Sequence, residues 1–351
     1  MRQPAGRMSP ALFHGMAAAT LVVAAVAGVV IGSTTLEWPM VARVLAAKLI
    51  PAGWIDLSPI SRADDAIVWL IRLPRVLVAG IVGAGLATAG ALMQGLFRNP
   101  LAEPSLTGVG HGAVLGAVVM FVTGWGAVSV VAVPFAAILS ALLALIVVYT
   151  IATRGGSTAM TTLLLTGVAV GSLLTAISSL LISMNIVTWQ VAQEIVFWMM
   201  GGLDSRTWAH VGISAPFVAV GLVSALLQAR TLDLLLLGEE AAVSLGVDIE
   251  PAKRLLVATA AVLTGASVAV AGLVGFVGLI VPHAVRLVLG PSHRTLLPAS
   301  AVTGAAFVML CDLAARTVRP PAEVRLGIVT AMFGAPLFLF LMVRRFREVP
   351  A

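Results

Sequence analysis

Charge is what this chain has least of. Only 10% of its 351 residues are Asp, Glu, Lys or Arg, while 60% are hydrophobic and the mean hydropathy is +1.08. A water-soluble domain carries roughly a quarter of its residues as charges, so that class is excluded and the chain is read as an integral membrane protein. Its apolar runs lack period-two alternation, which argues against a membrane β-barrel. One cysteine, Cys311, rules out an internal disulfide and a thiolate metal cluster. Lysine occurs twice, as Lys48 and Lys253, and no Gly-x-x-x-x-Gly-Lys-[Ser/Thr] loop is present. The chain therefore cannot cradle nucleotide phosphates in that way, and a process driven by ATP needs another subunit to bind it.

Acids within the apolar runs are also few. Ion-coupled carriers place Asp or Glu at mid-depth, where protonation or cation binding drives the cycle. The clearest such acid is Asp312, and Arg316 at i+4 predicts a local ion pair for it. Secondary transport of a bulky apolar substrate is thus the weaker alternative. No convergent set of acid, base or metal ligands stands out, so no catalytic residue, metal site or bound cofactor is expected. His14, His111, His210, His283 and His293 are read as packing or capping residues rather than haem ligands. The formal charge of +6 comes mostly from arginines scattered among connectors. That pattern anchors helix ends at a membrane surface and is no sign of nucleic acid.

What the chain does have is a series of apolar runs, near 11–33, 74–96, 106–124, 127–152, 160–184, 207–229, 253–273, 276–290, 297–315 and 326–343. A spanning helix needs about 20 apolar residues, so about ten helices account for nearly all of residues 1–351 as one transmembrane domain. The first run follows Arg2 and Arg7 and is long enough to be a retained span rather than a secretory signal. The eighth is too short to cross unaided and contains Pro282. A second apolar piece, Val187–Met200, predicts a short helix folded over one face.

Two segments echo each other without a gap. Gly83-Ala84 matches Gly265-Ala266, Ala87, Ala89 and Gly90 match Ala269, Ala271 and Gly272, and Pro100, Ala102 and Gly108 match Pro282, Ala284 and Gly290. The copies begin near residues 74 and 253, five spans apart. An odd separation predicts opposite topology, the inverted repeat around which transporters build two half-sites. Arginine and lysine placement puts both termini in the cytoplasm, although the opposite face keeps a basic rim that includes Arg43, Arg62, Arg72, Arg75, Arg206, Arg316, Arg319 and Arg325.

Several motifs resemble one family. They are Arg72-Leu-Pro-Arg75, Met93-Gln94, the run Arg98-Asn-Pro-Leu-Ala-Glu-Pro-Ser-Leu-Thr-Gly108, the run from Gly272 to Arg286, and Leu326–Pro336. They are similar to the FecCD-type permeases of ABC importers, which bring iron–siderophore complexes, haem or cobalamin into bacteria. The resemblance implies an all-α permease of ten helices, working as a homodimer in the inner membrane with the substrate path on its twofold axis. It also implies two ABC ATPase subunits that bind ATP and Mg, and a periplasmic binding protein that delivers cargo.

By the same resemblance Arg72, Arg75 and Arg316 meet acidic residues of the binding protein; the lesser alternative for Arg72 and Arg75 is anchoring the helix end at the lipid headgroups. The connector 231–250 carries more leucines than a solvated loop, which asks for a covering partner. The family implies ATPase contact there through Leu237, Gly238, Ala242, Leu245 and Gly246; a helix lying in the lipid interface is the alternative. Asn99 with Leu101, and Ser157 with Thr158, would form the cytoplasmic gate, or in the second pair cap the next helix. Trp198-Met199-Met200, with Met184, could line an apolar path for a bulky macrocycle. Among cargoes the reading leans to haem, then siderophore, then cobalamin.

Overall fold

The computed structural model describes residues 8–32, 34, 36–50, 60–184, 189–320 and 322–347. Arg2 and Arg7 lie outside them. In chain order the helices are α1 Pro10–Val30, α2 Trp38–Leu49, α3 Arg62–Asp65, α4 Leu73–Leu96, α5 Val109–Val122, α6 Trp125–Val128, α7 Ala132–Ala152, α8 Met160–Met184, α9 Trp189–Met199 and α10 Trp208–Leu227. After these come α11 Ala229–Leu235, α12 Glu239–Ser244, α13 Ile249–Ala271, α14 Val277–Leu289, α15 His293–Thr317 and α16 Leu326–Arg347. A two-stranded hairpin, β1 Thr153–Arg154 with β2 Ser157–Thr158, joins α7 to α8. Each of the ten apolar runs contains a helix, and among the described residues seven helices are long and apolar enough to cross a membrane. The architecture is an all-α membrane bundle.

α4 is the axis of the bundle. It continues unbroken from Arg62 as a 35-residue helix, of whose most apolar window 83% is buried inside the chain, against 17% for α8. Pro74 enters this helix two residues after a π-helical stretch, Ala66–Arg72. The wider turn accommodates a ring that would otherwise strike the carbonyl four residues back and an N–H that is missing. α4 supplies Val76, Val82 and Leu86 to one hydrophobic cluster and Leu92, Met93 and Leu96 to another.

Small residues let the backbones touch, as apolar helices without a solvent driving force require. A Cβ on Gly83 would overlap the carbonyl of Gly304, and one on Gly90 the carbonyl of Gly278. Gly80 faces Met309 and Gly95 faces His293, so α15 runs antiparallel to α4. Across this seam Gln94 donates to the Leu279 carbonyl at 2.9 Å and accepts from Arg286 at 2.7 Å. α13 is antiparallel to α4 as well. Gly85 packs on Ser267, whereas Leu96, Phe97 and Arg98 share a cavity with Lys253 at the other end of α13. The helices that begin the two echoed segments therefore run in opposite directions, as an inverted repeat demands.

Beyond Gly272 the echo does not reproduce local structure. The first copy stays helical to Leu96 and sets Pro100 in a turn. The second leaves its helix at Gly272, with φ +68°, and then encloses Pro282 within α14. At Gly272 the backbone, at positive φ, presses against the Trp198 carbonyl, which ends α13 about two turns early relative to α4. Two further features have no counterpart in the hydropathy reading: α2 and the hairpin. The piece predicted over Val187–Met200 is α9; residues 187 and 188 lie outside the described residues.

The bundle has two distinguishable ends. The hairpin, α11, α12 and the start of α13 mark one. Arg72, Arg75, Arg206, Arg316 and Arg325 gather at the other. α1 reaches the arginine end with Gly28–Val30, and α16 starts there beside Arg325. The outer extremities of both helices are thus at the hairpin end.

Candidate functional site

At the arginine end, the three arginines expected to meet the binding protein, Arg72, Arg75 and Arg316, are buried. Arg72 donates to the carbonyls of Val29 (3.0 Å) and Val30 (2.6 Å) and to the hydroxyl and carbonyl of Thr34, closing off the end of α1. Arg316 donates to the carbonyl of Gly28. Arg75 is 8% exposed and lies between two carboxylates. Its Nε and NH2 groups hold Asp312 at 2.8–3.0 Å, and its NH1 and NH2 groups hold Glu323 at 2.9 and 2.8 Å.

The i+4 pairing predicted for Asp312 is present but secondary. Its main partner is Arg75, 237 residues away, while Arg316 Nε stands at 3.7 Å. Asp312 is 1% exposed, so desolvation demands a bidentate fork, which the more distant Arg316 does not supply. Arg325 holds Asp204 at 2.9 Å and stacks on Phe197, 4.0 Å from its ring centre. Arg206, in the connector before α10, donates to the carbonyl of Val270 at 2.5 Å. Burial lowers its pKa, with Asp204 opposing. Five guanidinium groups (72, 75, 206, 316, 325) thus face three carboxylates (204, 312, 323), a net of +2. Arg43, Arg62 and Arg319 are the exposed arginines of this face.

At the hairpin end the chain turns a polar and leucine-bearing surface outward. α11 is tied down through Asp233, which accepts from the His293 backbone N–H at 2.8 Å and faces its Nδ1 at 2.8 Å. α12 follows after Gly238, at φ +112°, and closes at Gly246, at φ +86°. Those two conformations are costly for any residue with a Cβ, which explains the paired glycines. Leu237 is 65% exposed and Leu245 58%, with Val243 beside them, whereas Ala242 is fully buried. Of the five residues predicted for partner contact, Ala242 thus serves the packing of the loop and not its surface.

The predicted gate residues lie at this same end in two turns. Asn99 accepts the Leu101 backbone N–H on its side chain at 2.9 Å, fixing the bend after α4. Ser157 and Thr158 form β2, with Gly155 and Gly156 at φ +57° and +79° making the tight hairpin turn. Ser157 is exposed and Thr158 fully buried. The Thr158 hydroxyl meets Thr153 at 2.9 Å and Tyr149 at 3.2 Å, so it closes the hairpin rather than capping α8.

Between the ends, Met199, Met200, Leu273, Gly327, Ile328, Ala331, Met332, Ala335 and Pro336 line an open apolar cavity of about 720 Å³. That is within the range of small-molecule sites. Of the predicted path residues, Met199 and Met200 reach it; Met184 is exposed elsewhere on α8. Glu103, unremarked as a buried acid in the sequence, accepts the Phe276 backbone N–H at 3.4 Å, at the head of α14. Burial pushes its carboxyl above the ordinary range, against the pull of that N–H and of Ser105. His14 faces the Pro10 carbonyl at 2.6 Å, His210 completes a capping box with Thr207, and His111 packs against Gly171. Among the described residues no group of three or more His, Cys, Asp or Glu is placed to hold a metal ion.

The whole chain has relatives among known proteins. The FecCD transport family model matches residues 20–344. The cobalamin import system permease protein BtuC of Halobacterium salinarum is 46% identical over 90% of this chain and 81% of that protein. The hemin transport system permease protein HmuU of Yersinia pestis is 36% identical over 97% of this chain and 98% of its own length. A solved ABC transporter described as metal-chelate type, in an inward-facing conformation, superposes with a TM-score of 0.83 at 31% identity, covering 95% of this chain and 99% of that one.

Proposed function

The chain belongs to the FecCD transport family, and on that premise we propose that it is the membrane-spanning permease of an ATP-driven importer for a metal-centred macrocycle. The observation that carries the reading is the α11–α12 surface, with Leu237, Val243 and Leu245 exposed beyond the apolar bundle on a chain without a nucleotide-phosphate loop. An ABC ATPase on this surface supplies the cover those side chains lack. The hairpin end is then cytoplasmic, with both termini inside, and the arginine end faces the periplasm. The turns at Asn99–Leu101 and Ser157–Thr158 stand where a cytoplasmic gate closes.

A second copy of the chain completes the path. α8 and α16 present exposed apolar residues, among them Leu165, Leu173, Leu180, Met332 and Phe340, and the 720 Å³ cavity beside α16 is open on that side. A homodimer encloses two such cavities about its axis. Periplasmic binding protein docks on the arginine end. Because Arg72, Arg75 and Arg316 are engaged internally, first contact falls to Arg43, Arg62 and Arg319, with Glu323 yielding Arg75 if a partner carboxylate displaces it. The permease itself performs no covalent chemistry; it alternates access while the ATPase hydrolyses ATP.

The lining of Met and aliphatic groups does not by itself favour haem over cobalamin. The relatives named for cobalamin and for hemin share a flat metal macrocycle as cargo, and an apolar cavity of this size suits that class. Competition in reconstituted vesicles tests the assignment: labelled cobalamin uptake is measured against excess unlabelled cobalamin, haem or ferric siderophore, each with its binding protein. Competition by either macrocycle supports the reading. Uptake of the siderophore alone contradicts it.

A further inference from the structure

Lys253 is one of two lysines in the chain, yet its side chain is only 4% exposed. A buried ammonium must satisfy its three donors, and here they reach three separate elements. Nζ lies 2.9 Å from Glu239 in the first turn of α12, 3.1 Å from the carbonyl of Thr158 in β2, and 3.5 Å from Glu250 one turn earlier in α13. Glu250 in turn accepts the backbone N–H of Thr158 at 3.1 Å. Both main-chain groups of Thr158 are therefore held by the first turn of α13, and the same ammonium is gripped by α12.

We propose that Lys253 is the positioning residue that passes movement of α12 to the 153–158 hairpin. The inference rests on the reading of this end as the ATPase-facing side of a permease. The hairpin side of the junction is the tight one: Thr158 is fully buried and its hydroxyl is tied to Thr153 and Tyr149. The α12 side is the looser one. The Glu239 side chain is 45% exposed and borders a cavity of about 160 Å³ that it shares with Lys253, Arg98, Phe97, Met160 and Leu235. Displacing α12 changes what Lys253 must do with its charge. With Glu239 withdrawn, the ammonium is left with Glu250 and the Thr158 carbonyl, both belonging to the hairpin clamp. The state of the partner-facing helix thereby sets the hold on the gate-side turn, with no residue of the hairpin touching the partner.

The test uses the full transporter, reconstituted with its ATPase and binding protein, and reads cargo imported per ATP hydrolysed. Lys253→Met and Glu239→Gln are each expected to lower that ratio roughly tenfold or more, the scale of one charge-assisted hydrogen bond. The double variant should be no worse than Lys253→Met alone, since both act through one contact. Lys253→Arg, which keeps the charge, should recover part of the loss. A second reading follows the hairpin directly: Arg154→Cys, on the exposed strand β1, is labelled by an aqueous thiol reagent with and without ATP. Its rate should change with ATP in the parent and stay flat in Glu239→Gln, whose half-exposed side chain can be altered without opening the core. Wild-type ratios and ATP-dependent labelling in these variants would overturn the proposal. Loss of ATP-dependent import in the parent itself would overturn the permease reading and the linkage with it.

Discussion

Replacing Arg75 by leucine should destabilise the whole chain rather than weaken an outer contact. In the structure Asp312 is 1% exposed and takes its hydrogen bonds from Arg75 at 2.8–3.0 Å, with Arg316 Nε no nearer than 3.7 Å. Removing one partner of a buried pair leaves an uncompensated charge and costs about 3–5 kcal/mol. The Glu323 half of the cluster adds little, because that carboxylate is partly in solvent, where a pair is worth no more than about 1 kcal/mol. For a chain of this size the buried term corresponds to a melting shift of roughly 4–7 °C.

The chain carries its own reporter, since Cys311 is its single cysteine and is 4% exposed. A maleimide dye that fluoresces on reaction should read the unfolding of purified protein in detergent. Arg75→Leu is expected to melt lower by that amount, whereas the double replacement Arg75→Leu with Asp312→Leu should regain most of it, an apolar pair of similar volume being nearly neutral. A single variant that melts with the parent would refute the burial argument and return Arg75 to a purely external role.

Gly90→Val would thrust its Cβ into the Gly278 carbonyl; overpacking of this kind costs about 1–3 kcal/mol, so a lower melting temperature and loss of monodisperse protein on size exclusion are expected. Gly212→Ala, with open space around its Cβ, should be tolerated or raise the melting temperature. Leu237→Asp combined with Leu245→Asp alters exposed side chains only, so melting should hold. Co-purification with the ATPase should fall by about thirtyfold in affinity, the scale of a 2 kcal/mol interface anchor. Arg62→Glu with Arg319→Glu should slow association of the binding protein roughly tenfold at low salt, and less at high salt, as stopped-flow mixing can measure.

Helix positions were legible because a bilayer imposes one strong rule, a run of apolar residues long enough to cross it. That rule found even the short α14, since its neighbours Gly272 and Gly290 and the internal Pro282 punctuate it. It missed α2, whose Arg43 and Lys48 interrupt the apolar pattern over 12 residues. It also missed the hairpin, where two adjacent glycines were the available signal. Direction was legible from the odd spacing of the echoed segments, but not the divergence after Gly272, because a match in residue type does not fix the backbone angle. Pairings between distant residues were the least visible. Arg75 with Asp312 and Lys253 with Thr158 join positions 237 and 95 residues apart. The local i+4 partner, Arg316, was the natural guess for Asp312 and is the weaker contact.

The central claim is that this chain moves cargo inward on energy from a separate ATPase. Uptake should be measured in proteoliposomes containing the chain, its ATPase and its binding protein, with ATP inside or outside and with or without an imposed proton or sodium gradient. The account predicts cargo accumulation that needs ATP on the hairpin side and binding protein on the arginine side, and that ignores the ion gradient. Accumulation that follows the gradient and persists without ATP would contradict it and make the chain a secondary carrier.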